Sequence, residues 1–200
     1  MMESIPAIKE KIPELRFAHL APDVWNALHD LKRTGWVNRG VENPESVQGH
    51  IIALRNIASN MEGLTEEERD GLLDMLEVHD WPEAIHGDEV ILTLNQEELR
   101  ELKSNKFESE KAALSSICEK LGEDGKIIMN LWLRFETSQD SAASFARQLD
   151  KYQAIEKALE YEKVQGKLLF KEFLDHAKAR NSITHPILLK KLELLEQGSK

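Results

Sequence analysis

The chain has 200 residues, of which 41% are hydrophobic and 31% are charged. This composition indicates one globular domain with a sizeable core and excludes an intrinsically disordered protein. The formal net charge of -10 argues against general nucleic-acid binding, which requires a positively charged surface.

The sequence also bears on where the protein is located and whether it binds a membrane. No apolar run approaches the ~20 residues that a helix needs to span a bilayer. The N-terminal segment mixes Glu, Lys and Pro and lacks a signal-peptide pattern. The single cysteine, Cys118, excludes an internal disulfide framework and suits a reducing environment. We therefore expect a cytoplasmic protein with no membrane partner.

The N-terminal residues differ from the rest of the chain. Residues 1–21 contain Pro6 and Pro13 and are expected to form a loosely organised arm with a short helix around residues 7–11. Residues 22–200 show no internal repeat and no low-complexity tract. They are expected to form a single domain.

Nearly all of this domain is predicted to be helical, which makes the fold class all-α. Proline suits the first turn of a helix over about residues 22–32, and a loop is expected over residues 36–43. Ser46 begins the next helix, and Thr65 with Glu68 forms a capping box that begins another. Further helices are expected to begin at Asn95 and to cover residues 109–121, 124–137, 141–161, 164–178 and 186–197.

Three of these helices carry a metal-competent side chain on an inward face. His50, His79 and Asp150 occupy positions that the i, i+3, i+4, i+7 spacing of apolar residues predicts to face the core. Asp80 follows His79 directly, so this pair offers one nitrogen and one oxygen to a divalent metal. The apolar residues that define the three faces are Val47, Ile51, Leu54 and Ala58, then Leu72, Met75 and Leu76, then Ala143, Ala146, Ala154 and Ala158.

A structural role is the alternative for each of these residues. A lone histidine on an apolar face is usually a hydrogen-bonded core residue. An inward aspartate is rarer, because an unpaired buried carboxylate is costly and needs a partner or a metal. The ordered series of His50, His79-Asp80 and Asp150 favours a metal site.

Pro82 breaks the helix that carries His79. Proline removes a backbone donor and disfavours helical geometry in the preceding residue. We therefore predict a kink, followed by a short turn that ends at Gly87 and turns Glu83 back toward the His-Asp pair. The apolar run over residues 90–94 is expected to be a buried loop or an isolated strand.

Several stretches resemble one protein family. Residues 79–88, HDWPEAIHGD, resemble the HD-x-x-E-x-x-x-G-D motif of the HD-domain metal-dependent phosphohydrolases, in their 5'-deoxynucleotidase-like branch. Residues 32–39 (KRTGWVNR) with 44–47 (PESV) are similar to the segment before the first ligand, and 149–151 (LDK) with 158–162 (ALEYE) to the last one. The similarity extends from about residue 28 to residue 195.

The resemblance implies a compact helical bundle around one divalent metal. His50, His79, Asp80 and Asp150 would be the ligands. Two nitrogens and two carboxylate oxygens leave octahedral positions for water and a phosphate oxygen. Manganese, cobalt, iron, nickel or zinc would suit this ligand set.

The resemblance also implies hydrolysis of a (deoxy)nucleoside 5'-monophosphate to nucleoside and phosphate. Glu83 would orient or deprotonate the attacking water, and Asp88 would lie near the leaving 5'-oxygen or the sugar. Arg33 is the candidate phosphate clamp, because a guanidinium matches two phosphate oxygens. Trp36 would pack against the sugar or base. The structural alternatives are a helix-dipole role for Glu83, a turn role for Asp88, a solvated loop charge for Arg33 and a core position for Trp36.

One residue departs from the family pattern. The residue before the first ligand is commonly acidic in this branch, whereas Gly49 precedes His50 here. Loss of a side chain that supports a metal ligand costs ~10–100-fold in metal affinity or activity. Two other functions therefore remain: a phosphohydrolase that acts on another nucleotide, and a metal-stabilised binding or scaffold protein. Amphipathic helices at both ends also suggest a homodimer.

Overall fold

The computed structural model describes residues 14–91 and 95–199. These residues form helices and connecting loops, and the only β-type pairing among them is an isolated bridge between Lys32 and Ser46. The all-α prediction is confirmed. After a 3-10 turn over Ala18–Leu20, the helices are α1 (Pro22–Asp30), α2 (Thr34–Val37), α3 (Val47–Ser59), α4 (Glu66–Val78), α5 (Glu83–His86), α6 (Gln96–Cys118), α7 (Gly122–Thr137), α8 (Ser141–Gln165), α9 (Phe170–Ala179) and α10 (Pro186–Gly198).

Side chains at the helix starts cap the backbone as the sequence predicts. Ser46 accepts a hydrogen bond from the Gly49 amide at the start of α3. Thr65 and Glu68 form a reciprocal capping box at the start of α4. Each cap satisfies an amide that has no partner inside the helix. The beginnings of α3 and α4, which carry the histidines, are therefore determined locally.

Two helix boundaries differ from the prediction. The sequence predicts a separate helix over residues 109–121, but α6 is continuous from Gln96 to Cys118, since no proline or glycine interrupts it. The sequence predicts a helix over 164–178, whereas α8 continues to Gln165 and α9 begins at Phe170. Gly166 adopts a left-handed conformation (φ 69°), which ends α8 because glycine pays no steric penalty there.

The inward stripes of α3, α4 and α8 meet in one hydrophobic core. Ile51, Leu54, Met75 and Leu76 are fully buried in it, and α3 and α8 both pack on α4. Trp81 closes the core beside the C-terminal end of α4 with its side chain fully buried. This packing brings the C-terminal end of α4 to the first turn of α3 and the middle of α8.

The N-terminal segment is fastened to α4 by a buried carboxylate. Glu77 is fully buried and accepts hydrogen bonds from the amides of Arg16, Phe17 and Ala18 at 2.6–2.8 Å. Arg55 on α3 lies 2.9 Å from the same carboxylate. Phe17 is buried in the core, so the end of the predicted arm packs against the domain.

Two sequence predictions fall on parts of the chain that the structure does not describe. The short helix over residues 7–11 lies outside the described residues, as do positions 92–94 of the apolar run. The described residues 90 and 91 lie in neither a helix nor a strand. Within the described ranges, none of the helices combines the length and apolar character that crossing a bilayer requires.

Replacement of Glu77 tests this anchor. We expect Glu77→Ala to lower the free energy of unfolding by about 3–5 kcal/mol, because Arg55 would remain buried without its ion-pair partner. Urea unfolding followed by circular dichroism measures the change. Asp74→Asn is the matched control on the same helix, since Asp74 pairs with the half-exposed Arg16 and should cost less than about 1 kcal/mol. Equal losses in both variants would contradict the proposed anchor.

Candidate metal centre and active site

Four predicted ligands lie together where α3, α4 and α8 meet. His50 comes from α3, His79 and Asp80 from the end of α4, and Asp150 from α8. Ligand atoms of His50, His79 and Asp80 all lie within 4.8 Å of one another. The fourth member, Asp150, places Oδ1 3.2 Å from His50 Nε2. We call these four residues the His–Asp cluster.

Both histidines present the same ring nitrogen to the cluster. The Nδ1 of His50 lies 2.8 Å from Gln153 Oε1, and the Nδ1 of His79 lies 2.9 Å from the Leu76 carbonyl oxygen. These acceptors require a proton on Nδ1, so in the neutral imidazole the lone pair is on Nε2. Both Nε2 atoms are buried without a hydrogen bond among the described residues, and each faces a carboxylate oxygen, at 3.2 Å from Asp150 for His50 and 3.1 Å from Asp80 for His79. Two neutral imidazole nitrogens facing two carboxylates fit a divalent metal.

The carboxylates of the cluster are held in their charged form. Burial alone would raise the pKa of Asp80, but His79 and Arg33 hold that pKa well below its usual range. Burial likewise opposes ionisation of Asp150, whereas the charge of Lys151 holds its pKa well below the usual value. Both side chains therefore meet the requirement that metal ligands be deprotonated.

Glu83 lies beside the cluster in a different electrostatic state. The kink at Pro82 places Glu83 at the start of α5, and its side chain is buried. Burial, together with the carboxylates of Asp80 and Asp88, raises the pKa of Glu83 well above its usual range. Its Oε2 finds no hydrogen-bond partner in the described structure. Glu83 is therefore a carboxyl group poised to exchange a proton.

A cavity of about 530 Å³ opens above these residues, and His79, Asp80, Glu83 and Asp150 are in its wall. Phe107 and Phe135 add apolar surface to the same wall. The cavity also contains five basic side chains among the described residues, which are Arg33, Lys103, Lys106, Arg147 and Lys151. The cavity thus combines a carboxylate-rich floor with positive charge on its walls.

Sequence reasoning identified only one of these five cations, Arg33. Lys103 and Lys106 are one turn apart on α6, and Arg147 and Lys151 are one turn apart on α8. Spacing of three or four residues places the members of each pair on one helix face. Because Asp150 is adjacent to Lys151, the same spacing could have predicted that Arg147 and Lys151 lie near the cluster.

Arg33 and Asp88 both line the cavity, as the predicted roles require. Arg33 Nη1 lies 3.3 Å from Asp80 Oδ2. Asp88 accepts a hydrogen bond from the Thr34 amide at 2.6 Å, and its backbone carbonyl accepts one from the Thr34 hydroxyl at 2.6 Å. The start of α2 therefore fixes the backbone and carboxylate of Asp88 at the edge of the cavity.

The structure gives Trp36 the core position that is the alternative to substrate contact. Residues 34–37 form α2, which overlaps the predicted loop over residues 36–43 at its first two positions, and Trp36 is only 3% exposed. Its ring packs between Tyr161 and Phe173, with centroids 5.2 and 4.8 Å away. Trp36 is not among the residues of the cavity wall. The ring of Trp36 is therefore part of a second, smaller hydrophobic cluster.

Comparison with known proteins agrees with this geometry. A family model described as an HD domain matches residues 25–188. The chain belongs to the HD-domain family. The 5'-deoxynucleotidase HDDC2 of Dictyostelium discoideum is 35% identical over 172 residues, which cover 80% of this chain and 86% of that protein. The mouse protein of the same name is 33% identical over 187 residues, covering 91% and 86% of the two chains.

Two solved structures share the fold of this chain. The PH0347 protein of Pyrococcus horikoshii superposes with a TM-score of 0.65 at 22% identity, covering 88% of this chain and 96% of that one. A conserved hypothetical protein of Pyrococcus furiosus gives 0.63 at 23% identity, covering 84% and 92%. The family that the sequence motifs resemble is therefore confirmed, and the helical bundle is the family's fold.

Glu110 gives this HD domain a testable pH dependence. Burial, with the carboxylates of Glu136 and Asp80, raises the pKa of Glu110 from 4.5 to about 7 against the opposing effect of Lys106. Between these pH values the folded protein binds more protons than the unfolded chain, so stability falls as pH rises. We expect metal-free Glu110→Gln to gain stability relative to the parent from pH 4.5 to 7 and to show a constant difference above that range.

Urea unfolding of both proteins across pH 4 to 8, buffered at ~0.5-unit steps, measures this difference. Glu108→Gln on the same helix is the control, because Glu108 is exposed. Its difference from the parent should not vary with pH. A pH-independent difference for Glu110→Gln would show that Glu110 titrates normally.

Proposed function

We propose that this protein is a metal-dependent phosphohydrolase that converts deoxynucleoside 5'-monophosphates to nucleoside and phosphate. The observation that carries the proposal is the convergence of the Nε2 atoms of His50 and His79, which make no hydrogen bond among the described residues, with the carboxylates of Asp80 and Asp150. This cluster lies beside a cavity whose lining includes five basic side chains among its carboxylates. The names of the relatives, 5'-deoxynucleotidase HDDC2, support the substrate class.

His50, His79, Asp80 and Asp150 are the proposed metal ligands. A divalent metal bound there would polarise a phosphoryl oxygen and, in the case of zinc, lower the pKa of a bound water to near ~7. Manganese, cobalt, iron, nickel and zinc all accept mixed imidazole and carboxylate ligands. The closeness of the four side chains supports this ligand set.

Glu83 is proposed to handle the proton of the attacking water. Its carboxyl group lies in the cavity wall and is 6% exposed. A carboxyl group whose pKa is raised becomes a stronger base once it is ionised, which suits general base catalysis. Water oxygen then bonds to phosphorus while the bond from phosphorus to the 5'-oxygen breaks, and that oxygen leaves with a proton.

Arg33 is proposed to bind the phosphate of the substrate. Its guanidinium is partly buried at the cavity wall, where Asp80 and Asp150 outweigh the effect of burial and keep its pKa above the ordinary value. A permanently charged, planar fork can donate two parallel hydrogen bonds to phosphate oxygens. Asp88, held at the cavity edge by Thr34, is proposed to contact the 5'-oxygen or the sugar.

A second candidate is a phosphohydrolase that acts on a nucleotide with more than one phosphate. The sequence alone offered few cations for such a substrate, but Lys103, Lys106, Arg147 and Lys151 add positive charge around the cavity. Three of these four lie near carboxylates: Lys106 near Glu110, Arg147 near Glu136 and Lys151 near Asp150. This partial neutralisation favours the monophosphate as the preferred substrate.

A substrate panel decides between these candidates. We expect the protein, stripped and reloaded separately with manganese, cobalt, iron, nickel or zinc, to release inorganic phosphate from deoxynucleoside 5'-monophosphates. Phosphate release is measured by a colorimetric assay and the nucleoside by chromatography. Matched ribonucleotides and triphosphates complete the panel, with pyrophosphate and tripolyphosphate measured as separate products. Turnover of triphosphates alone would refute the monophosphate proposal.

Glu83→Gln separates an enzyme from a metal-stabilised scaffold. Loss of a general base typically costs 10²–10⁴-fold in rate, so we expect kcat for the monophosphate to fall by about that factor. Metal content, measured on the same sample, should stay near that of the parent because Glu83 is not a proposed ligand. Glu66→Gln, in the exposed first turn of α4, should retain parental kcat. A scaffold with residual activity would show equal rates in all three proteins.

The predicted homodimer and the cytoplasmic location stay predictions. The predicted absence of a nucleic-acid partner likewise rests on the net charge of -10. The predicted division into an arm over residues 1–21 and a domain over 22–200 also stays a prediction. Phe17, near the end of the predicted arm, packs in the core of the domain.

A further inference from the structure

A chain of hydrogen bonds links a buried tryptophan to one of the proposed metal ligands. Trp36 Nε1 donates to Glu45 Oε1 at 3.0 Å, and Gln153 Nε2 donates to Glu45 Oε2 at 3.2 Å. Gln153 Oε1 in turn lies 2.8 Å from His50 Nδ1. Gln153 is 2% exposed and His50 is fully buried, so water does not compete for the bond between these two side chains, whereas Glu45 is half-buried.

The carboxylate of Glu45 gives this chain its direction. A carboxylate only accepts hydrogen bonds, and an indole N–H only donates them. Glu45 therefore requires the NH₂ group of Gln153 to face it, which turns the amide oxygen of Gln153 toward His50. Without Glu45, the two ends of the Gln153 amide could exchange places by rotation about the last side-chain bond.

The orientation of the Gln153 amide selects the tautomer of His50. An amide oxygen facing Nδ1 requires a proton on Nδ1 and leaves a lone pair on Nε2. The reversed amide would donate to Nδ1 and put the ring proton on Nε2, where it would point at Asp150, 3.2 Å away. In that tautomer Nε2 could not ligate a metal.

We propose that Glu45 and Gln153 are positioning residues that hold His50 in its metal-ligating tautomer, with Trp36 orienting Glu45. This inference rests on the metal site of the proposed function. It gives Trp36 a role in the site that does not require contact with the substrate.

The two histidines of the cluster differ in how their tautomers are fixed. His79 Nδ1 is bonded to the backbone carbonyl of Leu76, one turn earlier in the same helix. A backbone carbonyl oxygen is present whichever side chain residue 76 carries, so substitutions do not remove this acceptor. The tautomer of His50 depends on side chains from α8 and from the loop before α3, so it is the ligand that substitutions can disturb.

Glu45 also accounts for the departure at Gly49. The family resemblance places an acidic residue directly before the first ligand, and Gly49 has no side chain to offer. A Cβ built at Gly49 would meet Ser46 Oγ at 3.5 Å and Glu45 Cβ at 3.8 Å, which are ordinary contacts. Lack of space therefore does not explain the glycine. The carboxylate that reaches His50 in this chain is that of Glu45, which is half-buried and acts through Gln153.

Cobalt binding to the full-length chain tests the inference. We expect Gln153→Leu to weaken Co²⁺ binding by about 10–100-fold, the range typical when a partner of a ligating histidine is lost. Competition with a chromogenic chelator gives the dissociation constant. Gln165→Leu is the matched control, because Gln165 lies on the same helix and bonds the backbone of Glu42 in the same loop without touching His50. It should bind Co²⁺ as the parent does.

An exchange of the two side chains provides a rescue. Glu45→Gln removes the fixed direction of the chain, and Gln153→Glu places two carboxylates against each other, so each single variant should weaken Co²⁺ binding. The double variant keeps the net charge and restores a directed chain. The amide at position 45 accepts from Trp36 and donates to the carboxylate at position 153, which accepts from His50 Nδ1. We expect its dissociation constant to return to within about threefold of the parent.

The outcomes separate this inference from the proposed function. Thermal unfolding of the metal-free proteins identifies any variant that fails to fold, and the double variant then carries the test. Co²⁺ binding by Gln153→Leu equal to that of Gln165→Leu, or a double variant no better than the weaker single variant, would overturn the inference. If the expected Co²⁺ affinities are found but no nucleotide is hydrolysed, the positioning roles stand and the proposed reaction fails.

Discussion

The convergence of two imidazole nitrogens and two carboxylates is the constraint on which the rest of this structure depends. Burial of such groups costs free energy unless each finds a partner. The Nε2 atoms of His50 and His79 make no hydrogen bond in the part of the chain that the structure describes, and each faces a carboxylate. The apolar stripes of α3 and α4 hold the cluster in place, since each histidine continues a stripe that packs into the core. Core packing therefore offsets the cost of bringing these polar groups together.

Charge around the cavity is arranged in pairs. Lys106 lies 3.4 Å from Glu110, Arg147 lies 3.4 Å from Glu136, and Lys151 lies 2.7 Å from Asp150. An acidic protein can in this way keep several cations beside a carboxylate-rich floor. A phosphate that enters the cavity meets positive charge already held in place, and the paired carboxylates limit how much of it remains uncompensated. These local cations explain how a protein with a net charge of -10 can still offer positive charge to a phosphate.

Two carboxylates outside the cluster bind connecting segments to the helices. The buried Glu77 accepts hydrogen bonds from the amides of residues 16–18 and so holds the N-terminal segment on α4, which leads to His79. The half-buried Glu45 accepts from the indole of Trp36 and the amide of Gln153 and so holds the loop before α3 against α8, which carries Asp150. Glu77 lies two residues before His79 on the same helix, so the anchor of the N-terminal segment and the proposed metal ligand share one rigid element. The orientation of the site thus depends on polar contacts as well as on the core.

The sequence by itself determined the helices, their caps and the inward faces, because these follow from periodicity and from side chains a few residues apart. His50, His79 and Asp150 were predictable as inward residues for that reason, and the motif at 79–88 identified the family. Only the tertiary structure placed Glu45 against Gln153, 108 positions away, buried Trp36 between Tyr161 and Phe173, and set α6 and α8 around one cavity. Periodicity shows which face of a helix turns inward but not which helix it meets. Contacts between distant residues are decided by how the helices pack.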